Sequence, residues 1–143
     1  MPWTFYNASG QQLRSTATVL ATQAEMEAGT ALTSFVTPGR TQYHPGVLKV
    51  WVRWESQGTH SMVASYNMAS VSDGGGAGDS DLLFTTDFSS ANYALAGNTH
   101  APLVIGTSGE PAAGGVTIHI WNSSDEVLTD ASRIFLQCAG DQA

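Results

Sequence analysis

Twelve carboxylates, four histidines and one cysteine are the groups with which this chain could do chemistry. The histidines are His44, His60, His100 and His119, and no two stand four residues apart as in a helical zinc pair. Alternation sets His119 opposite Ile118 and Ile120, so a solvent-facing or interface histidine is expected there. His60 and His100 fall in loops and His44 in a turn before Pro45. Cys138 lies on the Ile134/Leu136 side of an apolar run and reads as a buried small hydrophobe. One cysteine allows neither an internal disulfide nor a cysteine-rich zinc site.

Other reactive patterns fall short of their chemistry. In Gly106-Thr107-Ser108-Gly109 the glycines are one position off the spacing of a nucleophile elbow. The run Asp73-Gly74-Gly75-Gly76-Ala77-Gly78-Asp79 has no lysine for a phosphate loop. Asp73, Asp79 and Asp81 miss the calcium-repeat spacing by one residue. A flexible, solvated hairpin loop is expected instead. Glu55 and Glu110, with the aspartates, are the candidates for paired carboxylates, and surface solvation is their plainer role. The expectation is therefore no enzymatic activity, no metal and no cofactor.

Composition narrows the partners. The formal charge is −7, with 5 Lys and Arg against 12 Asp and Glu, which argues against nucleic acid. No run reaches the length of a membrane helix. No charged region followed by an apolar stretch marks a secretory signal, so none is expected. Charged residues make 12% of the chain, and Leu, Ile, Val and Phe together about a fifth, a thin supply for a self-sufficient core. A chain so furnished gains stability by burying surface against copies of itself or a larger assembly.

The elements that would position these groups read as follows. Asn7-Ala8-Ser9-Gly10 is a turn between two short extended pieces. Trp3, Phe5 and Tyr6 give the first six residues an aromatic cluster that invites an anchoring role on a partner. Thr22-Gln23-Ala24-Glu25 is a capping box, Ala21 and Met26 are its staple pair, and Gly29 suits a left-handed stop. A helix over about 23–28 is predicted, docking through Ala24, Met26 and Ala28. Pro38-Gly39 and Pro45-Gly46 predict type II turns in a connector over 37–46.

From Val47 the period becomes two. Leu48, Val50, Val52 and Trp54 share one face, and Lys49, Trp51 and Arg53 the other. Ser61–Met68 repeats the alternation with Met62, Ala64, Tyr66 and Met68 together, making an antiparallel hairpin with the first strand. Further strands are predicted near 81–86, 91–97, 102–106, 115–121 and 132–138. The expected fold is mainly β: a small antiparallel β-sandwich or barrel head over 47–143, behind an arm over 1–46 carrying one short helix. Because Trp51 and Trp54 point to opposite faces, at least one faces away from the local core, and Trp51 joins Trp3, Phe5, Tyr6, Ala24 and Met26 as an anchor or subunit contact. Asp79, His100, Trp121 and Asn122 are the candidate receptor-facing loop residues.

The segment Ala21-Thr22-Gln23-Ala24-Glu25-Met26-Glu27-Ala28-Gly29-Thr30, followed by Phe35-Val36-Thr37-Pro38-Gly39-Arg40, resembles one recurrent in tailed-bacteriophage tail-fibre and virion surface proteins. Tyr43-His44-Pro45-Gly46-Val47, Ala64-Ser65-Tyr66-Asn67, Phe84-Thr85-Thr86 and Ala91-Asn92-Tyr93-Ala94 resemble the β-rich terminal domains that follow it, so that residues 3–97 are covered. Two departures stand out: no long repetitive shaft, and a turn at Pro38-Gly39 where a second helix is usual. The resemblance implies a non-enzymatic virion structural protein, made in the host cytoplasm and displayed on the particle surface. It would be a short fibre, spike or decoration protein, a homotrimer touching capsid or tail proteins, that aids host adhesion or particle stability. Two alternatives stand beside it: a carbohydrate-binding module, which would recognise a host-surface glycan, and, less favoured, a small glycan-cleaving enzyme.

Overall fold

The computed structural model describes residues 5–6, 8–10, 12–13, 20–29, 34–41, 43–44 and 46–141. The chain divides into two compact units, residues 1–44 and 45–143.

In the first unit, β1 (Phe5–Tyr6) pairs antiparallel with β2 (Gln12–Leu13) around a turn in which Gly10 takes φ 74°. Trp3 and the side chains of Phe5 and Tyr6 lie outside the described residues, and so do their expected anchor contacts. Helix α1 (Gln23–Ala28) has the predicted bounds. Its capping box is closed on both sides: the Glu25 amide donates to Thr22 Oγ1 at 3.2 Å, and Thr22 N and Oγ1 donate to Glu25 Oε2 at 2.8 and 2.9 Å. Those bonds to its charged form hold the Glu25 carboxyl below its ordinary range. Gly29 ends the helix at φ 63°, the left-handed value for which glycine was expected. Of the three proposed docking residues only Met26 is buried, while Ala24 and Ala28 are exposed. They lie two residues either side of it, on the opposite side of a 3.6-residue turn.

Pro38–Thr41 forms a second short helix, α2, and not the predicted type II turn. Gly39 is not at positive φ there, and the Thr41 amide donates back to the Thr37 carbonyl at 3.1 Å. Proline suits the first helical position as well as it suits a turn, so the local signal was ambiguous. Pro45 lies outside the described residues.

The second unit is a mainly β, small sandwich of two four-stranded antiparallel sheets. Its strands are β3 (Leu48–Glu55), β4 (Ser61–Tyr66), β5 (Met68–Asp73), β6 (Asp79–Phe84), β7 (Ala94–Thr99), β8 (Leu103–Thr107), β9 (Gly115–Asn122) and β10 (Ile134–Ala139). Sheet I runs β4-β3-β10-β7 and sheet II runs β5-β6-β9-β8. Val50, Val52 and Trp54 meet Ile134, Leu136 and Cys138 on the inner face of sheet I; Leu82, Phe84, Val116, Ile118 and Ile120 line that of sheet II. In β6 and β10 buried and more exposed residues alternate because one face is covered and the other is not. Phe88 and Tyr93 close one part of this core, stacked at 4.3 Å, and Phe84 meets their edges at 5.4 and 5.7 Å.

Two predicted strands change for local reasons. The run 61–68 splits at Asn67, whose φ of 57° turns the chain from sheet I to sheet II. Its amide group clamps Thr86, accepting from Thr86 N at 2.8 Å and donating to Thr86 O at 3.0 Å. Within β4, a register shift pairs Ala64 with Arg53 but Met62 with Trp54, so those two residues fall on opposite faces. The strand expected from 91 begins at 94, because the Tyr93 side chain is spent in the core, its hydroxyl donating to the carbonyls of Ala112 and Gly115 at 3.0 and 3.1 Å.

The glycine loop 74–78 is a β5–β6 hairpin loop, but its end is fixed. Gly78 is buried at φ 77°, its amide donates to Asp130 Oδ1 at 2.8 Å, and its carbonyl accepts from Ile120 N at 2.9 Å. A Cβ there would collide with the Ile120 carbonyl and come within 2.6 Å of Thr129 N. Gly78→Ala is therefore expected to lower stability by about 2–4 kcal/mol in a urea melt, and Gly75→Ala, with no atom near its Cβ position, by distinctly less.

Burial pushes the Cys138 thiol up to about 12, and burial followed by the neighbouring Cys138 pushes Tyr93 up to about 12. Both groups hold their protons more tightly folded than unfolded. The unfolded chain thus binds fewer protons between the ordinary values, 9.0 and 10.0, and the raised ones, and stability falls as pH rises through that window. A thermal midpoint unaffected by these two groups below about pH 9 and declining toward pH 12 is expected, with Cys138 inert to a thiol reagent until the fold opens.

Candidate functional site

Three polar or aromatic arrangements arise from the sheet registers. The first joins the two sheets from inside. The Trp54 indole N–H donates to Ser80 Oγ at 3.1 Å, and His60 Nε2 lies 3.0 Å from the same oxygen and 2.9 Å from the Asp79 carbonyl. Strand β3 carries Trp54, the end of the β3–β4 loop carries His60, and the start of β6 supplies Ser80. A serine, a histidine and a neighbouring aspartate invite comparison with a nucleophile triad. The Asp79 carbonyl only accepts, however, so His60 Nε2 carries a proton and is no base toward Ser80. Ser80 is fully buried, out of reach of any substrate. The arrangement is a polar tie in the core. His100, the other loop histidine, is placed elsewhere, its amide donating to the Arg133 carbonyl.

The second arrangement covers the outer face of sheet I. Strand pairing aligns Tyr66, Trp51, Gln137 and Ala96 in one row, and Ala64, Arg53, Phe135 and Asn98 in the next. Trp51, Tyr66 and Phe135 are 42%, 53% and 43% exposed, whereas Trp54, three residues from Trp51, is wholly buried. The Arg53 guanidinium sits 5.8 Å from the Phe135 ring centroid, a cation–π distance. Phe135 and Gln137 also border a shallow depression of about 440 Å³ with Ala96, Gly97 and Asn98. The sequence singled out Trp51 here and, by alternation, set Arg53 on its face; Tyr66 and Phe135 join them only through register, which no local pattern reveals.

The third lies on the outer face of sheet II. Asp79 pairs across the strands with His119, and His119 Nε2 approaches Asp79 Oδ1 at 3.1 Å. His119 is thus partly buried beside the Asp79 carboxylate on that face. Trp121, on the same side of β9, packs its six-membered ring over Gly106 of β8, where a Cβ would lie 2.7 Å from Cη2. Of the four candidate receptor-facing residues, the register brings Asp79 and Trp121 to this face. Asn122 is used locally, its Oδ1 accepting from Ser124 N and Oγ at 3.0 and 2.9 Å. The three calcium candidates are divided: Asp73 accepts from Gly75 N, Asp79 meets His119, and Asp81 accepts from Thr117 Oγ1 at 2.6 Å. Among the described residues no three His, Cys, Asp or Glu converge as a metal ion requires.

Protein-family models, curated proteins and solved structures return no match to this chain. Both outer faces present area for contact.

The Trp54–Ser80 bond admits a direct test. Ser80→Ala leaves the buried indole N–H without its acceptor and is expected to cost about 1–3 kcal/mol. Trp54→Phe combined with Ser80→Ala should cost less than the two single changes added, which a double-mutant cycle in urea would read.

Proposed function

We propose that this chain is a non-enzymatic structural protein of a bacteriophage virion, displayed on the particle surface as a short fibre, spike or decoration protein and assembled as a homotrimer. Its work is contact: with copies of itself, with capsid or tail proteins, and with the host. The observation that carries the reading is the uncovered aromatic face of sheet I, Trp51, Tyr66 and Phe135 with Arg53 among them. Trp, Tyr, Phe and Arg are the residues enriched at the cores of protein interfaces and at their energetic centres. A lone chain that leaves three such rings in one patch exposes apolar area that a neighbour would remove from water. The thin apolar composition and the resemblance over residues 3–97 support the same reading, and a ring of like subunits would bury one such face on each member.

Light scattering after size exclusion is expected to give three times the mass of one chain. Trp51→Ala with Tyr66→Ala should shift the protein to monomer without unfolding it. A parent chain that stays monomeric at every concentration would overturn the assembly, and labelled antibody that fails to decorate virions would overturn the location.

A further inference from the structure

We infer that the outer face of sheet II carries a binding site for a neutral hexopyranose, with Trp121 as its platform and Glu126 and His119 as its polar contacts. The inference is independent of the assembly reading, since it uses the opposite sheet. Trp121 lies on Gly106, and any side chain at position 106 would displace the ring, so the glycine gives the indole a flat seat. An indole seated in this way on an outer sheet face offers a broad apolar surface to the C–H groups of a sugar ring, which makes the contact without needing a deep pocket.

Beside it is a depression of about 430 Å³ lined by His119, Trp121, Glu126 and Leu128, large enough for one monosaccharide ring. The backbone that carries its polar groups is held in place. His119 Nε2 lies 3.1 Å from Asp79 Oδ1, which sets the imidazole beside the platform. Glu126 stands in the left-handed region at φ 58°, a conformation that costs a residue with a Cβ about 1–2 kcal/mol. The loop enforces it: the Glu126 amide donates to the Asn122 carbonyl and Asn122 N to the Val127 carbonyl, both at 2.9 Å, and Trp121 bridges to Leu128. Glycine would fit position 126 with less strain, and a glutamate stands there instead, lining the same depression as Trp121. Carboxylate and imidazole suit pairs of sugar hydroxyls. The carboxylates of Glu126 and Asp79 disfavour an acidic sugar.

The test is titration of the full chain with methyl β-galactoside, methyl β-glucoside and N-acetylglucosamine, followed by the Trp121 indole N–H signal in nuclear magnetic resonance. N-acetylneuraminic acid and ribitol serve as the anionic and the open-chain comparison. Saturable shifts with at least one neutral pyranoside are expected, with Kd of about 1–10 mM, and at least about tenfold weaker binding of both comparison compounds. Glu126→Gly should lose binding by about threefold or more while the thermal midpoint holds or rises, a combination that a merely structural glutamate would not give. Trp121→Ala should abolish the shifts of the remaining site signals, and Trp51→Ala should leave them unchanged. No shift with any neutral pyranoside up to about 50 mM, or binding that survives both Trp121→Ala and Glu126→Gly, overturns the proposal. Trimer formation is read separately, so loss of either property leaves the other measurable.

Discussion

A tryptophan can be buried wholly only where its indole N–H finds an acceptor, and the two sheets meet at the place where that demand is satisfied. Trp54 from sheet I reaches Ser80 of sheet II, and His60 closes the group from the β3–β4 loop onto the same hydroxyl and onto the Asp79 carbonyl. These contacts fix one sheet's position along the other, which aliphatic packing alone would leave free to slide. The same residues set the outside of the molecule. With Trp54 turned inward, pleating turns Trp51 and Arg53 outward; with Ser80 inward, it turns Asp79 and Asp81 outward. Core and surfaces are thus two sides of one register.

The outer faces that result differ in character. Sheet I presents aromatic rings and a guanidinium over two strand rows, the composition of a protein interface. Sheet II presents a histidine beside a carboxylate, a further carboxylate and one indole seated on a glycine, the composition of a polar ligand surface. The proposed assembly uses the first face and the proposed sugar site the second. The Ser80–His60 contact is locked in the core, with its serine inaccessible and its histidine proton committed to a carbonyl. The proposed reading as a displayed virion protein draws on this division and on the resemblance.

Local signals were legible where a few neighbouring residues carry the whole physical reason. The Thr22/Glu25 box and Gly29 placed α1 to the residue, because each cap satisfies backbone groups within its own turn. The alternation of Val50, Val52 and Trp54 against Trp51 and Arg53 placed β3 and its faces. Signals failed where one motif serves two conformations: Pro38-Gly39 opens a helix as readily as a turn. They failed also where a single residue changed the geometry. Asn67 ends one sheet and starts the other, and the shift in β4 moves Met62 and Ala64 to opposite faces. The glycine loop seemed free because nothing nearby in sequence shows that Ile120, Thr129 and Asp130 close around Gly78.

By itself the sequence determined the class of the fold, the short helix and its caps, the strand faces around Val50–Trp54 and the shortage of reactive and apolar groups, since each follows from composition or from contacts a few residues long. Only the tertiary structure decided which strands share a sheet, that Ser80 serves Trp54, that Tyr66 and Phe135 complete the patch begun by Trp51, and that Glu126 comes to stand beside Trp121. Those facts depend on pairing between segments tens of residues apart. The register between such segments is set by the simultaneous packing of both sheets, a property of the whole core and of no single stretch of chain.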